Sequence, residues 1–153
     1  MNRSFEFESG RIHYTDQGSG DVIVLVHGYL ETCEIWESFA RRLSSQYRVL
    51  AVDLPGHGKS DMLGEIHTMD FMAGMLAALI MNLNLEKVFM TGHSMGGYVT
   101  LAFADLFPGL LSGFCLFHSQ PFSDSPETVQ KRYNEIRLVE EGRKDQFCPV
   151  NIV

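Results

Sequence analysis

Four short apolar runs, Val22–Val26, Arg48–Val52, 88–90 and 113–117, lack the polar alternation of a half-buried strand. A strand apolar on consecutive positions has to be covered on both faces, and sheets covered in that way are parallel ones carrying helices above and below. Helical spacing fills the gaps at 35–43, 67–83 and 95–107, the last stopped by Pro108-Gly109. In the second of these, Met72, Met75, Leu76, Leu79, Ile80 and Leu83 share one face, which reads as a core stripe rather than a Met-lined binding groove. The opening differs. Residues 4–9 and 11–15 alternate in character around Gly10, as in an antiparallel hairpin with one wet face, and a turn at 16–20 ends it. Residues 126–141 read as a fourth, highly charged helix that partly covers the rest. The expected class is α/β.

The 153 residues allow one core, and 45% hydrophobic with 20% charged residues excludes long disorder, a collagen-like repeat or a disulfide scaffold. Twelve Lys plus Arg against 19 Asp plus Glu leave a formal charge of -7, so the chain offers no general field for a phosphate backbone and nucleic acid is not an expected partner. Cys33, Cys115 and Cys148 have neither paired nor metal-ligand spacing and read as reduced, buried thiols. The first ten residues lack the apolar core of a signal peptide, and no apolar run approaches a membrane span. The expected location is cytoplasmic, with no membrane partner.

Chemistry concentrates in Val88-Phe89-Met90-Thr91-Gly92-His93-Ser94-Met95-Gly96-Gly97, a strand followed by Gly-x-Ser-x-Gly and then a helix. The five-residue pattern alone arises by chance about 0.1 times in a chain of this length, so its context carries the weight. A nucleophile on a sharp strand-to-helix turn adopts strained backbone angles, and only small residues two places to either side avoid it. Gly92 and Gly96 meet that need. The turn lifts the Ser94 hydroxyl above the sheet edge and points the helix N-terminus, with the Met95 amide, at any oxyanion formed there.

Two further segments agree in order. Val22–Val26 runs straight into His27-Gly28-Tyr29, and the next strand into Asp53-Leu54-Pro55-Gly56-His57-Gly58-Lys59-Ser60. With the elbow, these make the chain resemble the α/β-hydrolase family from about residue 10 to residue 120. The resemblance implies a mostly parallel sheet with helices on both faces, and Ser94 as catalytic nucleophile. It also implies an oxyanion hole from the amides of Tyr29 and Met95, with His27, Gly28, Gly92, His93 and Gly96 shaping the loops. A rival reading of Gly58-Lys59-Ser60 as the tail of a phosphate-binding loop fails at Asp53, whose carboxylate stands where the first glycine is required. No dinucleotide fingerprint or His-Glu-x-x-His motif occurs, so neither a metal nor a cofactor is implied.

A serine nucleophile needs a general base. His27 and His57 belong to loop signatures, His93 diverges from the neighbouring Ser94, and His13 and His67 read as surface residues. His118 ends the sixth strand at the edge where Ser94 sits and is the candidate pocket residue, with a structural role as its alternative. The family order is nucleophile, acid, histidine, yet no histidine follows His118, and Asp124 matches at best a minority position for the acid. The expectation is therefore an N-terminal portion: a hydrolase core at 1–120 truncated after about the sixth strand, and the incomplete start of a helical cap at 121–153. Such a span alone is expected to be inactive. A small-molecule acyl substrate is implied, with the missing C-terminal part or a second chain completing the sheet. The alternative function is a non-catalytic small-molecule-binding module that lacks a triad.

Overall fold

A computed structural model describes residues 1–143 and falls into two compact units, Met1–Pro121 and Phe122–Val153. Cys148 and the part of the expected cap segment beyond residue 143 lie outside the described residues. In the first unit the chain runs through β1 (Asn2–Phe7), β2 (Gly10–Gln17), β3 (Val22–Val26), a 3-10 turn (Cys33–Trp36) and α1 (Glu37–Leu43). It continues through β4 (Arg48–Val52), α2 (Met69–Asn82), β5 (Val88–His93), α3 (Met95–Leu106), a second 3-10 turn (Pro108–Leu110) and β6 (Leu111–Phe117). The second unit contains α4 (Pro126–Glu140), opened by Ser125, whose hydroxyl accepts the Thr128 amide at 3.2 Å.

The strands form one six-stranded sheet in the order β1-β2-β4-β3-β5-β6. β4, β3, β5 and β6 are parallel, while β1 pairs with β2 and β2 with β4 antiparallel. The unbroken apolar runs serve two cores at once, because successive side chains of a strand leave opposite faces. Val24, Val26, Leu50 and Val52 pack with Met72, Met75, Leu76, Leu79 and Ile80 of α2 and with Val99 and Phe103 of α3. Leu25, Val49 and Ala51 pack on the other face with Cys33, Trp36 and Ala40. The methionine face of α2 is thus core, with Met72 and Met75 no more than 3% exposed. Among the described residues no helix is long and apolar enough to cross a membrane.

Several expectations are corrected. β6, whose apolar run predicts a strand covered on both faces, pairs only with β5 among the described residues and leaves Phe114 and Cys115 exposed. Cys115 is therefore no buried bystander. The helix expected over 35–43 starts earlier as a 3-10 turn, because the Thr32 side chain accepts the Glu34 amide and starts it two residues sooner. α2 starts at Met69 rather than 67, where Thr68 caps the Phe71 amide. His13 is a core residue, 7% exposed, and His67 is half-buried, accepting the Leu63 amide at 3.2 Å.

From β3 the chain first adds β4 on one side and then returns to add β5 on the other. The carboxyl ends of β3 and β5 thus adjoin at the point where the strand order reverses, which is where open α/β sheets bind their ligands.

Candidate active site

Ser94 lies at this switch point, between β5 and α3, and is solvent-exposed. Its backbone angles, φ 49° and ψ -114°, are strained for a residue with a side chain. The neighbours hold it there. The Ser94 amide donates to the Phe117 carbonyl at 3.2 Å, and its carbonyl accepts the Gly97 amide at 2.9 Å and the Ser119 hydroxyl at 2.8 Å. A side chain on Gly92 would run into the carbonyl of Gly96 and lie 2.5 Å from Thr100 Oγ1. One on Gly96 would stand 2.5 Å from the Val26 carbonyl oxygen and 2.6 Å from that of His27. Both glycines are therefore steric requirements of the turn. Met95 supplies the first amide of α3, one of the group that lacks an intrahelical acceptor.

The loop after β3 lies against this elbow. His27 is fully buried, with Nδ1 2.7 Å from the Gly28 carbonyl oxygen and Nε2 accepting the Leu54 amide at 3.0 Å. An Nε2 that accepts leaves the proton on Nδ1, so the ring is neutral and ties the loops after β3 and β4 together. Burial pulls the His27 pKa below its usual 6.5. Because the folded value is depressed, this residue's stabilisation is present above pH 6.5 and declines as pH falls below it. His27→Gln is expected to melt lower at neutral pH and to lose the part of the melting-temperature decline that wild type shows between about pH 7 and pH 5. Unchanged pH dependence in that window, measured by thermal unfolding, would remove His27 as its source.

Gly28 is buried, and its amide donates to Glu31 Oε2 at 2.6 Å; the same oxygen lies 2.8 Å from His93 Nδ1. Tyr29 and Leu30 are exposed, and Leu30 has φ 57°. His118 has φ 47°, is exposed, and sets its ring centroid 6.3 Å from that of His93. The structure thus brings together Gly28, Glu31, His93, Ser94, Met95, Phe117, His118 and Ser119. Glu31 and Ser119 carry no sequence signature, since their partners lie 62 and 25 residues away.

The Asp53–Ser60 loop is a separate knot. Asp53 Oδ1 accepts the Cys33 amide at 2.6 Å, and Oδ2 the Lys59 amide at 3.0 Å and His13 Nδ1 at 2.8 Å. Burial pushes the Asp53 carboxyl up, yet these bonds together outweigh it and hold the group below its usual 3.8. Burial and the neighbouring Asp53 push the Cys33 thiol up to about 12. The ligand atoms of His13, Cys33 and Asp53 lie within 4.8 Å of one another, close enough for a cation. With Cys33 a neutral thiol and both Asp53 oxygens taken by N–H donors, the trio works instead as a hydrogen-bond hub that shapes the loop.

No histidine ring among the described residues hydrogen-bonds the Ser94 hydroxyl. Five are engaged elsewhere: His13 with Asp53, His27 with Gly28 and Leu54, His57 with the Pro55 carbonyl, His67 with Leu63, and His93 with Glu31. Asp124 accepts from Arg132 Nε at 2.5 Å inside the second unit.

A family model described as alpha/beta hydrolase fold matches residues 21–142. The chain is 36% identical over 137 residues to the 2-hydroxy-6-oxononadienedioate/2-hydroxy-6-oxononatrienedioate hydrolase of Escherichia coli, a match covering 82% of this chain and 48% of that protein. It is 34% identical over 112 residues to the (E)-2-((N-methylformamido)methylene)succinate hydrolase of Acinetobacter baylyi, covering 72% and 43%. Among solved structures, a thermophilic esterase from Thermogutta terrifontis superposes with a TM-score of 0.84 at 31% identity, over 93% of this chain and 54% of that one. The chain thus spans about half the length of these relatives or less. Sheet order, elbow and matched span agree, and the chain belongs to the alpha/beta hydrolase fold family.

Proposed function

We propose that this chain carries the nucleophile and oxyanion site of a serine hydrolase acting on a carboxylic ester or a related acyl or carbon–carbon bond through an acyl-enzyme on Ser94. The observation that carries the reading is Ser94 at φ 49° between two glycines whose side-chain space is closed. In the first step Ser94 Oγ attacks the carbonyl carbon and gives its proton to a general base. The former carbonyl oxygen takes the negative charge, held by the amides of Tyr29 and Met95, until the leaving group departs with a proton. Water then attacks the acyl-enzyme, freeing the acid and restoring Ser94. An elbow serine rather than an aspartate disfavours epoxide and haloalkane opening, and the hydrolase names of the relatives support hydrolysis.

Five of the six imidazoles are engaged elsewhere and His118 makes no hydrogen bond to the Ser94 hydroxyl, so we place the base outside the described residues, in a further segment or a second chain that also extends the sheet at β6. That no histidine ring among the described residues hydrogen-bonds Ser94 also favours a second reading, a binding module that keeps the pocket without the triad. A fluorophosphonate probe separates the two. Hydrolase function predicts a covalent adduct on the peptide carrying Ser94 and none after Ser94→Ala; folded protein that stays unlabelled supports the binding module instead.

A further inference from the structure

Two segments 62 residues apart meet beside Ser94 through one carboxylate. Glu31 Oε2 accepts the Gly28 amide at 2.6 Å and pairs with His93 Nδ1 at 2.8 Å. Gly28 is the residue before Tyr29, and His93 the residue before Ser94. An ionised carboxylate can only accept, so Nδ1 of His93 is the donor. We propose that Glu31 is a positioning residue for acyl transfer, fastening the oxyanion loop to the nucleophile elbow so that the Tyr29 amide is held where the oxyanion forms. This inference rests on the reading of Ser94 as the nucleophile.

Four observations support it. A methyl group on Gly28 would stand 2.7 Å from Glu31 Oε2 and 3.1 Å from both His93 Nδ1 and Ser94 Cβ, so loop, carboxylate and nucleophile converge on one spot with no slack between them. Leu30, between Tyr29 and Glu31, holds φ 57°, a conformation that persists for such a side chain only where surrounding bonds over-determine it. The Glu31 amide reaches back to the Gly28 carbonyl at 3.4 Å, and its side chain closes the same turn from the other end. His93, finally, is wedged among the rings of Trp36 and Phe117, with centroids 6.4 and 6.0 Å away, which leaves its Nδ1 facing Glu31.

Hydrogen bonds to a carboxylate are the stronger kind, and both Glu31 and His93 are largely shielded, with side chains 26% and 24% exposed. Preorganised donors stabilise an oxyanion because they need no rearrangement as charge develops, and a displacement near 1 Å can cost about 100-fold in rate. Without the carboxylate, the Gly28 amide and His93 both lose their partner, and the oxyanion loop loses its tie to the elbow.

The test uses the full-length protein and compares Glu31→Ala and Glu31→Gln with wild type and Ser94→Ala. The readouts are kcat and KM for a short activated ester and the rate of fluorophosphonate labelling. Glu31→Ala is expected to lower kcat about 10- to 100-fold with KM within about threefold, and to slow labelling by a similar factor. Glu31→Gln, whose amide oxygen can take the same place without the charge, recovers part of this and stays about threefold or more below wild type. A kcat within twofold of wild type for folded Glu31→Ala overturns the proposal. If that variant does not fold, Glu31→Gln decides alone by the same limit. Activity surviving in Ser94→Ala would instead overturn the nucleophile assignment, whatever Glu31 does.

Discussion

Ser94→Ala is expected to lower turnover of a short activated ester by about four to six orders of magnitude, measured in the full-length protein. The size follows from the proposed covalent route: without Oγ no acyl-enzyme would form, and only binding and the proposed oxyanion amides would remain to assist direct attack by water. The fold is expected to survive. The Ser94 side chain makes no capping bond to α3, and the bonds that hold the elbow run through its amide and carbonyl, which alanine keeps. A folded variant retaining more than a tenth of the activity would take the nucleophile role away from Ser94.

Gly96→Val should do the opposite, costing stability first. A Cβ at this position would lie 2.5 and 2.6 Å from the carbonyl oxygens of Val26 and His27, which belong to β3 and its end and cannot swing aside as a flexible side chain can. Relief requires α3 to move off the sheet, which breaks the packing of Val99 and Phe103 against Val24 and Val26. The cost is put at about 3 kcal/mol or more, a fall of roughly 10 °C in melting temperature for a domain of this size. Thermal unfolding beside Ser94→Ala checks it. Equal melting temperatures would mean that the close approach of α3 to β3 is absent in solution.

What the sequence determined by itself was local. Gly92, Ser94 and Gly96 were legible because the steric demand of the turn is met within five residues, and the parallel sheet was legible because Val22–Val26 and Arg48–Val52 each show both of their buried faces in one run of letters. The methionine face of α2 was readable as core for the same reason, since helical spacing records which side is covered. The tertiary structure alone decided which distant groups answer one another. His13, alternating in an N-terminal hairpin, reads as surface until β2 pairs with β4 and brings it to Asp53, 40 residues on. Glu31, one acid among 19 acidic residues, becomes distinctive only because the strand order reverses at β3 and sets the loop after β3 beside the end of β5. The physical reason is one of range: backbone sterics and burial period act over a few residues and leave a pattern in sequence. Long-range side-chain hydrogen bonds form only after the sheet has chosen its neighbours, and so leave none.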